Sequence, residues 1–187
     1  MRSEMRALLS ATDSQVVRAF FSVILFALGV VACSEKTAYI GDERILPFDS
    51  VDVRLVSARD TTTIRVELAV SREQKTLGLM ERRRLPENAG MLFVYDSTQG
   101  PEAGFWMYRT RIPLDIAFID SAGVIGSILA MVPCETTIPE GCPNYVPNVT
   151  YRYALEVNAG FFQRHQIGVG DALLIGDIAL RPKPLGG

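Results

Sequence analysis

From Val51 to Ile175 the chain never sustains an apolar pattern long enough for a helix of ordinary length. Its hydrophobic runs are short, several alternate, and each is soon closed by Gly, Pro, Asn or Asp. Val51–Val56 and Ile64–Val70 repeat with period two around the turn signal Arg59-Asp60-Thr61-Thr62, which predicts a hairpin with one wet face. Met91–Tyr95 is wholly apolar and suits a buried strand, and Asp96–Gly104 reads as a loop. Leu114–Asp120, the Ala122-Gly123 turn and Val124–Met131 form a second expected hairpin. Tyr151–Val157 alternates, with Tyr151, Tyr153, Leu155 and Val157 on one side and Arg152, Ala154 and Glu156 on the other; Ala172–Ile175 is a last strand. Two segments favour helix. Ser71 stands three residues before Gln74, a capping-box spacing, and good helix formers run from Arg72 to Leu77 until Gly78 stops them; Ala159–Gln166 is a second short helix closed by Gly168. The expected fold is α+β, mainly β: a small barrel-like or strongly curved antiparallel sheet with two short helices.

At 187 residues, 48% of them hydrophobic, the chain supports one core and leaves little room for a second. The N-terminus stands apart. Arg2, Arg6 and Arg18 precede the apolar run Ala19–Ala32, which is shorter than the roughly 20 residues a spanning helix needs. It ends in small residues directly before Cys33, and Val30-Val31-Ala32-Cys33 resembles the lipobox of bacterial lipoproteins. That resemblance implies lipidation of Cys33 and a membrane partner through the lipid anchor. Ser34, where an aspartate would favour the inner membrane, implies an envelope protein at the outer membrane facing the periplasm. A plain secretory signal or a short anchor is the alternative. The expected organisation is a signal peptide at 1–32, a linker at 33–50, a single β-rich domain at 51–181 and a flexible tail at 182–187.

Export sets an oxidising compartment, and with Cys33 lipidated the remaining cysteines, Cys134 and Cys142, form a pair. A disulfide between them closes a small loop turned by Pro139 and Gly141; two separate thiols or half of a metal site are the other readings. A metal site lacks ligands, since the chain has one histidine, His165, and structural zinc takes four groups. The 19 basic and 21 acidic residues leave a formal charge of -2, which gives no electrostatic reason to expect nucleic acid. Neither a G-x-S-x-G elbow nor a phosphate-binding glycine loop occurs, so no cofactor is expected.

Three motifs in order, GLMERRRLPENAGMLFVY at 78–95, GFWMYRTRIPLDIAFID at 104–120 and YALEVNAGFFQRHQIGVGDAL at 153–173, with Pro133-Cys134 and Cys142-Pro143 between the last two, resemble the uncharacterised prokaryotic domain-of-unknown-function family 192. The resemblance implies a compact β-rich barrel-like domain and frequent export, and brings no reaction, cofactor or catalytic residue. Where that family usually shows lysine and asparagine after Trp-Met, this chain has Tyr108 and Arg109.

Within the second motif, Leu114, Ile116 and Phe118 point one way along the expected strand, and Asp115, Ala117 and Ile119 the other. Asp115 thus shares an apolar face and needs a partner, either an arginine or backbone N–H groups. As a structural group it would pair with Arg109, Arg111 or Arg152. As a catalytic group it would be a general acid or base with Glu156 as its second, in a metal-independent hydrolase. Trp106 and Tyr108 share one face, which either stacks on a ligand ring or, for Trp106, fills the end of the barrel. The leading reading is a non-catalytic binding module for a small molecule, glycan or protein, with Trp106, Tyr108, Arg109, Arg111 and Asp115 as the binding surface. Arg82-Arg83-Arg84 reads as a solvated face, with an anion site as the alternative, and His165 as a structural residue, with a catalytic base as the alternative.

Overall fold

The computed structural model describes residues 46–134 and 136–175. Cys33, the signal peptide expected at 1–32 and the tail expected at 182–187 lie outside those residues. The alternating segments form the first hairpin, β1 (Ser50–Val56) and β2 (Thr61–Ala69), with Val53 opposite Ile64 and Leu55 opposite Thr62. The helix α1 (Arg72–Leu77) follows. Ser71 Oγ accepts from the Gln74 N–H and the Gln74 side chain accepts from the Ser71 N–H, so the predicted capping box is made. Gly78 ends the helix at φ +49°, a backbone state in which a Cβ would also press on the Phe93 ring.

After α1 comes β3 (Ala89–Gln99), then the short β4 (Phe105–Trp106), β5 (Leu114–Ile119), β6 (Ile125–Met131), the short β7 (Asn144–Tyr145), β8 (Tyr151–Asn158), the helix α2 (Phe161–Arg164) and β9 (Ala172–Ile175). Seven strands form one sheet in the order β6-β5-β8-β3-β2-β1-β9, and β4 pairs with β7 apart from it. As expected the sheet is mainly antiparallel; β2 and β3 are the exception and run parallel, because α1 carries the chain across between them. The sheet curls into a half-barrel. Its two ends meet where Val124 bridges Ala172, Ile125 N–H donates to the Asp171 carbonyl and Leu173 N–H donates to the Gly123 carbonyl.

Two boundaries also differ from expectation. Pro47 accepts a hydrogen bond from the Gln74 side chain, Asp49 accepts one from the Leu68 N–H, and Phe48 packs on the core, so the end of the expected 33–50 linker belongs to the domain. β3 continues through Asp96–Gln99, the segment read as a loop, because β8 pairs with it again at Gln99–Tyr151 beyond an irregularity after Val94.

Both faces of the sheet are covered, and β5 is buried throughout. One face packs Val53, Leu55, Ile64, Val66, Leu155 and Val157 with Phe161 and Phe162 of α2. The other packs Met91, Phe93, Leu114, Ile116 and Phe118 with Leu79 and Met107. Tyr151 belongs to this second face, not with Leu155 and Val157 as period two implied; the irregular register beside it turns its ring onto Phe118, at 4.9 Å between centroids. Phe105 plugs the same face, edge-on to Phe93 at 5.0 Å and to Phe118 at 5.6 Å.

Candidate functional site

Sheet register decides which candidate residues meet. In the β5–β8 ladder Ile116 stands opposite Glu156 and Asp115 opposite Val157, so the two carboxylates project from opposite faces of the sheet. The two-carboxylate arrangement required of a hydrolase is not formed. Asp115 instead serves the turn into α2. Its Oδ2 accepts the Gly160 N–H at 2.9 Å, Gly160 itself sits at φ +75°, and the nearby guanidinium is that of Arg164. Burial pushes the Asp115 carboxyl up, against the stabilising pull of the Gly160 N–H and Arg164.

The arginines expected beside Asp115 are engaged elsewhere. Arg109 and Arg111 both donate to Glu81, at 2.7 and 2.6 Å, and Arg152 donates to the Tyr95 carbonyl at 2.6 Å. The reason is topological: the loop carrying Arg109 and Arg111 folds over the residues after α1, away from the Asp115 face. Arg82 makes a two-pronged pair with Glu67, while Arg83 and Arg84 are exposed. His165 stacks against Phe161 at 4.3 Å, with Nδ1 3.5 Å from the Thr62 hydroxyl.

Glu156 is the residue whose importance the sequence understates. It lies on the face of Met91 and Ile116, 4% exposed, and forms no side-chain hydrogen bond with any described residue. Among the described residues its side chain borders open space. That space is a cleft of about 130 Å³ between the end of α1 and β4. Lys75, Gly78, Met80 and Phe93 line one part of it, Tyr95, Phe105, Trp106 and Thr110 another, with Glu156 among them. Burial pushes the Glu156 carboxyl up to about 8, with Arg82 opposing weakly, so at neutral pH it carries its proton. Tyr95 is pushed up as well, by burial first and then by Tyr151 and Glu156. Lys75 lies 4.8 Å over the Tyr95 ring and donates to the Val94 carbonyl at 2.8 Å, and burial holds its ammonium below the ordinary lysine value.

Trp106 is 45% exposed at this cleft, which decides between the two readings of its role: it does not fill a barrel end. Tyr108 stands 6.0 Å from it, and Met107 between them is buried, as alternation predicts. The strand that presents Trp106 is pinned from behind. Trp106 pairs with Asn144, Tyr108 bridges Cys134, and Cys134 is disulfide-bonded to Cys142. Among the described residues no cluster of three or more His, Cys, Asp or Glu could hold a metal ion, and no helix is long and apolar enough to cross a membrane.

The sequence of this fold and cleft matches the family model of DUF192, described as "Uncharacterized ACR", over residues 54–175. The chain belongs to the DUF192 family. Two solved structures resemble this DUF192 domain. A protein of Sinorhizobium meliloti 1021 that carries the provisional name of a transcription regulator is 34% identical; the match covers 70% of this chain and 97% of that one, with a TM-score of 0.61. A protein of unknown function from Novosphingobium aromaticivorans DSM 12444 is 26% identical, with 74% and 94% covered and a TM-score of 0.58. Among curated proteins none matches the DUF192 chain.

Proposed function

We propose that the domain is a non-catalytic binding module whose ligand enters the cleft between α1 and β4. The observation that carries this reading is Glu156, a buried carboxyl with no hydrogen-bond partner among the described residues, at a cleft where Trp106 is exposed. A protein keeps a buried polar group unpartnered at a cost of about 1–3 kcal/mol, and a ligand that supplies the partner recovers it. At 130 Å³ the cleft is smaller than the roughly 300–1,000 Å³ of drug-sized sites. It therefore suits a small molecule, or one group projecting from a glycan or protein. Of the surface expected from sequence, Trp106 borders the cleft directly; Arg109 and Arg111 brace its neighbourhood through Glu81, and Asp115 has no part in it. Asp115 and Glu156, the carboxylate pair of the hydrolase reading, do not meet at it, which favours binding over that hydrolysis.

The lipobox-like string ending at Cys33 supports attachment to the cell envelope, at the outer membrane because Ser34 follows. On this reading the domain presents its cleft in the periplasm. The net charge of -2 gives no basis for carrying a nucleic-acid role over from the Sinorhizobium meliloti protein's name.

Trp106 is the single tryptophan of the chain, so its emission reports on the cleft without a competing signal. Titration with small polar aromatic fragments should change that emission saturably, and Trp106→Phe should silence it. A folded protein whose backbone amide shifts around Gly78 and Phe105 stay unmoved by every fragment would refute the site. For the anchor, Cys33→Ser should move the protein from the membrane fraction to the soluble one; unchanged fractionation would refute lipidation.

A further inference from the structure

We propose that the cleft takes a small ionised monocarboxylic acid, its carboxylate seated among Lys75, Thr110 and the Glu156 carboxyl, its apolar body against Phe105 and Trp106. The proposal rests on the preceding reading of the cleft as the ligand site and specifies the ligand's chemistry.

The polar groups lining the cleft are under-used donors. Lys75 spends one of its three N–H bonds on the Val94 carbonyl. The Thr110 hydroxyl makes only a 3.5 Å contact with the Tyr108 carbonyl, at the outer limit of a hydrogen bond. Glu156 has no hydrogen-bond partner among the described residues, and with its proton retained at neutral pH it donates an O–H. A carboxylate offers acceptor oxygens only, and O–H···O⁻ and N⁺–H···O⁻ bonds are the stronger kinds. A protonated side-chain acid donating to an anion in an apolar site is an established arrangement in enzymes.

Charge points the same way. The other ionisable groups around Glu156 are Lys75 from α1, Tyr95 from β3, and Arg82, whose charge is matched by Glu67 of β2. Asp96 acts on Lys75 electrostatically, more weakly than burial does. While Glu156 holds its proton, the charged group on the cleft wall is therefore the Lys75 ammonium. A cationic ligand meets repulsion there, and a neutral one forgoes the attraction. The aromatic walls, Phe93, Phe105 and Trp106, receive a flat apolar body of about one ring, consistent with the small volume.

Three fragments of nearly equal shape separate the alternatives: benzoate, benzamide and benzylamine, titrated against the full-length chain with Trp106 emission and backbone amide shifts as readouts. Benzoate should bind at least about tenfold more tightly than benzamide, and benzylamine should bind worst. Lys75→Met should weaken benzoate about tenfold and leave benzamide unchanged. Benzoate affinity should hold steady from about pH 6, where benzoate is ionised, to pH 8 and fall about tenfold per unit above it, as Glu156 loses its proton and repels the ligand. Glu156→Gln keeps a donor without a titration, so it should retain benzoate binding and abolish that fall. An acetylated dipeptide with a free or an amidated C-terminus tells whether the carboxylate can be borne on a peptide or must be a free small acid. Benzamide or benzylamine binding as well as benzoate, with Trp106 responding, would overturn the carboxylate assignment and leave the site standing. No response from any fragment would overturn both.

Discussion

Glu81 and Arg109 hold each other in left-handed backbone conformations, at φ 62° and 56°. The Glu81 N–H donates to the Arg109 carbonyl at 2.7 Å, and Arg109 Nε donates back to Glu81 Oε1 at 2.7 Å. Neither residue is glycine, so each conformation costs of order 1 kcal/mol, and the reciprocal bonds offset that cost. Arg111 adds a second guanidinium on Glu81 Oε2. Because Met80 and Thr110 are the immediate neighbours and line the cleft, the clasp fixes the spacing of its two walls.

Removing the shared carboxylate should therefore cost more than removing either arginine. Glu81→Ala is expected to destabilise by about 1–2 kcal/mol, since it breaks two partly exposed ion pairs and leaves the backbone strain uncompensated. Arg109→Gly should cost less, because relief of its positive φ offsets part of the lost contacts. Urea denaturation of both variants checks the order; equal losses would remove the strain argument.

Glu156 predicts an acid-side stability gain. Its carboxyl is raised from 4.5 to about 8 on folding, so the folded state binds the proton more tightly than the unfolded chain. The sign follows. Its contribution is fully present below pH 4.5 and is lost as pH rises towards 8, with the unfolded state releasing the proton first. At pH 7 the loss is of order 3 kcal/mol at about 1.4 kcal/mol per unit. Glu156→Gln should raise the urea midpoint at pH 7–8 and flatten its dependence between pH 5 and 8. A wild-type curve already flat over that interval would contradict the assignment.

The Cys134–Cys142 bond closes a short loop, at a sequence separation of 8. The chain-entropy relation gives about 2–3 kcal/mol for a loop of that size. Since Cys134 bridges Tyr108 and Tyr145 pairs with Phe105, reduction should both lower the melting temperature and shift Trp106 emission to longer wavelength. A thermal shift without an emission change would mean that the loop does not brace β4.

Neighbouring aromatics should respond oppositely. Phe105, packed edge-on against Phe93 and Phe118, should cost about 3 kcal/mol on change to alanine, near the low end for a buried phenylalanine because it is half-buried. Trp106→Ala, at 45% exposure, should cost less than 1 kcal/mol while removing ligand response at the cleft. Equilibrium unfolding of the two variants measures the contrast.

Period-two patterning and turn residues by themselves determined the hairpins and the capped helix after Ser71, because those depend on local geometry, whereas the Cys134–Cys142 bond was one of three readings the sequence left open. The alternation also assigned Asp115 and Glu156 to strands. It could not say which of their faces coincide, since that follows from β5–β8 register, a relation between segments far apart in sequence. Sequence likewise made the arginines of 109–111 candidate partners for Asp115, whereas the tertiary structure gave them to Glu81 and left Asp115 to the Gly160 turn. It was the curl of the sheet, the parallel β2–β3 crossing through α1 and the folding of β4 over the second face that brought Lys75, Trp106, Thr110 and Glu156 to one cleft. Burial is a property of packed layers, so only those layers could turn an ordinary glutamate in an alternating strand into an acid that keeps its proton.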